Sequence, residues 1–204
     1  MKIVVLGATG TIGKAVAQLF REKGHEVIAA SRSSTPAVDI ANPASIPAFF
    51  EQVGEVDAIV SAAGSAAFVA LPDLTEEQIQ LSLTSKLMGQ INMVRHGLPK
   101  LRPKGVAVIT GGFLAYAPAP KTSMIAMVNA GLEGFTKAAA LDLTDGRRVV
   151  IVHPPWVAET AEQLGMDPTP WPNAAKTAEA YLAAVESSQN GVPVFVEGYA
   201  PGDI

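Results

Sequence analysis

The sequence predicts an α/β fold: a single domain over residues 1–204, built on one doubly wound, mostly parallel seven-stranded sheet with helices on both faces. Three observations lead there. Short β-rich runs alternate with helical segments along the whole chain. The first run ends in a glycine-rich turn that leads straight into an amphipathic helix. The strands read as continuous apolar runs, as strands buried on both faces do.

The elements follow in order. KIVVL (2–6) is the first strand, and residues 11–23 form a helix that Gly24 ends. EVIAA (26–30) is the second strand and AVDI (37–40) a short third. NPAS opens a helix over about 43–53, and VDAIVS (56–61) is the fourth strand. Thr75 followed by Glu76 and Glu77 signals a helix start. Helical periodicity then runs to Leu101, as two helices broken near Ser82. GVAVIT (105–110) is the fifth strand. A Pro-rich loop (113–121) precedes a long helix with a small-residue face, within TSMIAMVNAGLEGFTKAAALDL (122–143). RRVVIV (147–152) is the sixth strand, which HPPW stops. Residues 155–173 show little periodicity and hold both tryptophans. A last helix spans about 174–188, and GVPVFVEGY (191–199) closes the sheet as the seventh strand.

Composition removes several function classes. With 49% apolar and 17% charged residues the chain is globular rather than disordered. Its net charge is -4 and it carries no basic run, so nucleic acid is not an expected partner. The absence of cysteine excludes disulfides and thiol chemistry. No apolar run approaches membrane length, and MKIVVLGATG reaches glycine too soon for a secretory signal, so no membrane is expected and the cytoplasm is. His25, His96 and His153 share no ligand spacing, so no metal is expected either.

The turn VVLGATGTIGKAV carries the first chemical signal. Gly7, Gly10 and Gly13 allow a tight turn and a close backbone approach to a pyrophosphate, and the helix start offers free N–H groups. Thr9, Thr11 and Ile12 belong to the same cradle. The end of the second strand selects between dinucleotides. An acid there would hold a ribose hydroxyl, but this chain has Ser31, Arg32 and Ser33 and no acid before Asp39. Arg pairs with phosphate through its fork of donors. The reading is NADP(H) rather than NAD, against the alternative of a solvated surface Arg32. Asp39, with Ile40 beside it, suits an adenine amino group or an exposed loop equally.

At GATGTIG and SAAG (61–64) the chain resembles the short-chain dehydrogenase/reductase family, and the resemblance covers nearly its whole length. VDAIVSAAG is similar to the family's fourth-strand motif, with Ala62, Ala63 and Gly64 bordering the cofactor. KLMGQINMVRHGLPKL is similar to its long helix, and GVAVITGG to the strand ending at the catalytic Ser, with Thr110 on the cofactor side. VIVHPPWVAET is similar to the segment along the nicotinamide, which implies cofactor roles for Pro154, Val157 and Thr160.

The family's chemistry uses a Tyr acid, a Lys that tunes it, a Ser donor and an Asn that anchors a water. Register set from AAALDL places the Tyr position on Ile125, the Lys position on Asn129 and the Ser position on Gly112; the Asn position falls on Lys86. All four depart from the pattern. Yet the family's Asn and Lys are here Lys86 and Asn129, exchanged between facing helices, as a functional pair or as a surface lysine and a packed amide. Lys86 thus stands among both the cofactor-binding and the catalytic candidates, with Asn129 and Tyr116. For the missing proton donor, Lys86 ranks first; Tyr116, Thr122, Ser123, His153 and water follow.

Two functions stay open. One is an NADP(H)-dependent oxidoreductase acting on a small carbonyl or alcohol substrate with a rearranged site. The other is an NADP(H)-binding protein without redox turnover, a sensor or interaction module, or a non-redox enzyme on the same site. Trp156, Met166 and Trp171 make 155–173 apolar, as a lid over a pocket or as a packed irregular segment. The resemblance implies a homodimer through helices 82–101 and 123–142, or a tetramer built on it.

Overall fold

The computed structural model describes residues 1–203. Among them the sheet has six strands: β1 Lys2–Leu6, β2 Glu26–Ala30, β3 Val56–Ser61, β4 Leu101–Thr110, β5 Arg148–His153 and β6 Pro193–Phe195. They lie in the order β2-β1-β3-β4-β5-β6, and every neighbouring pair is parallel. The helices are α1 Thr11–Glu22, α2 Ser45–Val53, α3 Glu76–Leu81, α4 Gly89–Gly97, α5 Ser123–Leu141, α6 Ala158–Gln163 and α7 Ala174–Glu186.

Strand alternation divides the core between two faces. Ile3 and Val5 pack with Val16 and Phe20 of α1 and Tyr181 of α7. Val4 and Leu6 face the other way, towards Phe49 and Phe50 of α2, Met93 of α4 and Leu132 of α5. All four β1 side chains are fully buried, which is why the strand reads as an unbroken apolar run. Each such side chain contributes roughly 1.5–3 kcal/mol relative to exposure.

The sheet has six strands and not seven because residues 37–40 form a loop. Their backbone groups are satisfied locally: Val38 N–H donates to Ser31 O, Asp39 N–H to Ser45 Oγ, and Asp39 O accepts from Asn42 N–H. These local bonds take the place of a ladder at Val38 and Asp39. The closing strand is also shorter than 191–199.

The helix does not break at Ser82. It passes through a π-helical segment, Ser82–Met88, directly into α4. The Ser82 and Thr84 hydroxyls bind the carbonyls of Gln78 and Gln80, each at 2.7 Å. Carbonyls engaged by side chains one turn back widen the helix locally. The start signal at Thr75 is a full capping box, with Thr75 Oγ1 accepting from Gln78 N–H and Gln78 Oε1 from Thr75 N–H. The stretch 155–173 is less irregular than its prolines suggest, since it contains α6. No helix of the described residues is long and apolar enough to cross a membrane.

Candidate active site

The carboxyl ends of β1, β3, β4 and β5 open into two adjoining clefts of about 360 Å³ each, which share Gly64 and Ser65 as a common wall. Ligands of open α/β sheets bind in this position.

The first cleft begins at the glycine turn. Gly7 has φ +81°, and a Cβ on it would lie 2.8 Å from Ala62 O. A Cβ on Gly13 would lie 2.2 Å from Gly7 O, so the third glycine serves the close packing of α1 on the turn. No side chain caps α1 and no acid stands in its first turn. Among the described residues the amides of Thr11, Ile12 and Gly13 have no acceptor. A tight backbone cradle with free N–H groups and an unneutralised dipole end fits a pyrophosphate.

Gly7, Thr9 and Gly10 line this cleft on one side, with Ala62, Ala63 and Gly64 beyond them; Ser31, Arg32, Asp39 and Ile40 line the other. Arg32 is exposed and makes no hydrogen bond or ion pair among the described residues. Asp39 commits one carboxylate oxygen to Ala41 N–H at 3.0 Å. The serines knit the loop: Ser31 Oγ accepts from Ser33 N–H, and Ser34 Oγ accepts from Ser31 N–H. Ser33 is exposed and does not line this cleft; nor do the half-buried Thr11 and the buried Gly13.

The second cleft gathers Ile12, Lys86, Thr110, Ile125, Asn129, Pro154 and Thr160. Lys86 and Asn129, from the π segment and α5, thus meet at one site. The Lys86 stem rests on Gly64 (φ +115°), with Cδ 3.1 Å from where a Cβ would stand. The residue is half-buried, and burial lowers the ammonium pKa to about 8. Its Nζ has no hydrogen-bond or ion-pair partner among the described residues. Asn129 is 2% exposed, and its Oδ1 is buried without a partner.

The floor is held by side chains that the sequence reading passed over. Gln90 spans β4 with Nε2 donating to Thr110 O at 2.6 Å and Oε1 accepting from Thr110 N–H at 2.7 Å. Thr110 Oγ1 donates to Ser61 O and lies 2.7 Å from the Tyr181 hydroxyl. Thr110 lines the cleft, but its hydroxyl is engaged in the core. Ser85 Oγ and Ser82 Oγ accept from Ser65 and Ala67 N–H, tying the loop after β3 to the π segment. A fully buried Gln on an otherwise apolar helix face was the signal available for Gln90.

Two sequence candidates lie elsewhere. Val157 is 3% exposed and packs below the cleft. Tyr116 does not enter it: its hydroxyl donates to Glu133 Oε2, and its ring packs edge-on against His153 and Phe195. Burial and the Glu133 carboxylate both push the phenol pKa up, away from the range of a useful acid. Glu133 also holds Lys137 at 2.6 Å and stands 3.3 Å from His153 Nε2, an ion-pair distance without hydrogen-bond alignment. Burial favours its neutral form, but the bonds from Lys137 and Tyr116 outweigh that and hold it below the ordinary range. Burial keeps His153 neutral. Its Nδ1 lies 3.0 Å from both the N–H and the carbonyl oxygen of Gly112, accepting from the one or donating to the other according to the tautomer. Thr122 is buried, with Oγ1 bound to Ala119 O.

A fold of this order, a glycine cradle at its first turn and a polar cleft beside it define a dinucleotide-dependent enzyme class. The comparisons agree. A family model described as enoyl-(acyl carrier protein) reductase matches residues 7–180. The structure of the protein lin1944 from Listeria innocua is 40% identical, with 96% of this chain and 99% of that one covered and a TM-score of 0.89. A small-chain dehydrogenase solved in complex with NADPH is 26% identical, with 96% of each chain covered and a TM-score of 0.84. The 3-ketodihydrosphingosine reductase of Bacteroides thetaiotaomicron is 26% identical over 155 residues, 69% of this chain and 58% of that protein. The chain therefore matches little more than half the length of that relative. It belongs to the short-chain dehydrogenase/reductase family.

Proposed function

We propose that the protein is an NADP(H)-dependent oxidoreductase that interconverts a small carbonyl compound and its alcohol, with Lys86 as proton donor. One observation carries this reading: an unpaired ammonium with a pKa lowered to about 8 faces a cleft continuous with the dinucleotide cleft at Gly64. A group poised near neutral pH suits proton transfer. The cofactor half is supported by the free amides of α1, by Arg32 as an uncommitted cation for a 2′-phosphate, and by the relative solved with NADPH.

When bound, NADPH supplies a hydride to the carbonyl carbon. The chain's own residues do the rest. Lys86 places a proton at the carbonyl oxygen. Asn129 presents the amide that steadies that oxygen, where the family has a Ser hydroxyl. Ile125, in the family's Tyr position, supplies apolar surface that keeps water from the reacting atoms. The same reading includes a homodimer through α4 and α5.

The test is NADPH binding by fluorescence, then NADPH oxidation against aldehydes, ketones and quinones. Lys86→Met should lower kcat by about 100-fold or more while NADPH affinity stays within about tenfold. Binding without turnover on any of these, in the unaltered protein, would overturn the reductase reading in favour of a dinucleotide-binding module. Ile125 and Gly112 in the Tyr and Ser positions are the features that favour that second reading.

A further inference from the structure

A third cavity, a chamber of about 370 Å³, adjoins the second cleft. Phe113, Leu114, Pro155 and Trp156 line both spaces, so the chamber continues the reacting site rather than standing apart from it. Met166 and Trp171 form much of its far wall, and among the described residues no ionisable side chain lines it. The wall is held in place. Phe113 N–H donates to Pro154 O at 2.8 Å, Met166 N–H to Ala161 O at 2.9 Å, and Trp171 N–H to Pro168 O at 3.1 Å. The Tyr199 hydroxyl donates to Pro170 O at 2.9 Å, and the Trp156 ring meets Phe68 edge-on at 5.7 Å.

We infer that the substrate is an uncharged aldehyde or ketone whose apolar body fills the chamber of Phe113, Leu114, Pro155, Trp156, Met166 and Trp171. The inference rests on the reductase reading and gives it a substrate class. Among the described residues Lys86 is the only charged side chain lining the second cleft, so the carbonyl oxygen is drawn to it. With the oxygen at Lys86, substituents on the carbonyl carbon extend into the chamber. The chamber walls offer a carboxylate or phosphate on that body no polar partner, so such a group would lose hydration there and gain nothing in return. An alkyl, alicyclic or aromatic body is instead rewarded for every group it buries. In the step itself a hydride, carrying two electrons, passes from the reduced nicotinamide to the carbonyl carbon. The C=O π pair moves onto oxygen, and oxygen takes the Lys86 proton. Alcohol and oxidised nicotinamide result, and the neutral amine regains a proton from solvent.

The experiment uses the full chain and two readouts. First, kcat/KM is measured with NADPH for acetaldehyde, butanal, hexanal, octanal and glyoxylate. A buried methylene is worth up to roughly fourfold. Octanal carries six methylenes more than acetaldehyde, and at about twofold for each methylene in a half-open chamber the rise should reach about 50-fold or more, with glyoxylate no better than acetaldehyde. Trp171→Ser and Met166→Asp should each compress that rise to under about fivefold. Second, cyclohexyl methyl ketone is titrated without NADPH while tryptophan emission is followed. Both tryptophans of the chain border the chamber, so emission reports its filling directly. A steep series with a saturable emission shift supports the proposal. Turnover that ignores chain length, or that favours glyoxylate, overturns it while leaving the reductase reading intact. A saturable shift with no turnover on any aldehyde supports an apolar ligand in the chamber and overturns the reductase reading. Emission that responds to protein dilution and not to the ketone assigns the chamber to a second copy of the chain and overturns the proposal.

Discussion

A Cβ placed on Gly112 would lie 2.5 Å from Nδ2 of Asn129. The two residues that stand in the family's Ser and Lys positions are thus matched: the amide occupies the space that a serine side chain would need. The backbone is no obstacle, since Gly112 has φ 167°, an extended conformation open to any residue. A side chain at position 112 and the amide at position 129 therefore compete for one space.

It follows that Gly112→Ser should not restore a family-like site. The clash should cost about 1–3 kcal/mol, read as a lowered thermal midpoint. Gly112→Ser combined with Asn129→Ala should recover most of that loss. A single substitution as stable as the parent would show that Asn129 moves freely and that the two positions are uncoupled.

The buried ammonium links stability to pH. The pKa of Lys86 falls from 10.5 to about 8 on folding. Between those values the unfolded chain binds the proton and the folded chain releases it, so stability rises with pH across that window. Below about pH 8 the full penalty stands. Lys86 keeps part of its surface open to the cleft, which reduces the penalty to about 1–2 kcal/mol. Lys86→Met should therefore unfold at a higher temperature than the parent at pH 7, with the difference vanishing near pH 10.5. Carbonyl reduction by the parent should decline as pH rises through about 8. A stability difference that does not change with pH would contradict the placement of the charge.

Arg32 lies on the wall of the first cleft without a partner. Arg32→Asp removes the fork of donors and sets a carboxylate in its place. The ratio of NADH to NADPH affinity should shift towards NADH by about tenfold or more. An unchanged ratio in a fluorescence titration would return Arg32 to the solvated surface.

The outer face of α5 is poor in polar groups. Leu141 is 82% exposed and Met127 is 42% exposed, Gly134 has open space beside it, and Met88 at the end of the π segment is also exposed. If this face pairs with its copy, light scattering should give a dimer of the 21.2 kDa chain. Gly134→Arg, whose Cβ would have nothing within 4 Å among the described residues, should give a folded monomer. A monomeric parent would dispose of the interface.

The fold was legible where one physical cause dominates. β1 is buried on both faces and the glycine turn tolerates no side chain, so their sequences admit few readings. AVDI misled because its apolar residues are buried in a loop, where Val38 and Ile40 pack without a ladder. The π segment was half legible: Ser82 marked the place, but residue types alone do not say whether a hydroxyl that binds the carbonyl four residues back breaks a helix or widens it. In the site, that Lys86 and Asn129 line one cleft was legible from register, since both were expected on facing helices. The capture of Tyr116 by Glu133 was not, because the two are 17 residues apart and meet only through the loop before α5. Nor was the role of His153, whose neighbours Gly111 and Gly112 come from a different strand end.

Gly64 is the hinge between what can vary in this protein and what cannot. On its nucleotide side the contacts are made by backbone atoms: Gly7 against Ala62, Gly13 against Gly7. Such contacts reject any added side chain. On its other side the wall is built from side chains, Lys86, Asn129, Ile125 and the two indoles, each replaceable without disturbing the sheet. Random mutagenesis followed by selection for a new carbonyl substrate should accordingly accumulate changes on one side of Gly64 alone. The first cleft would stay fixed while the second and third are rebuilt, and a lineage could change its chemistry without ever losing its grip on a dinucleotide.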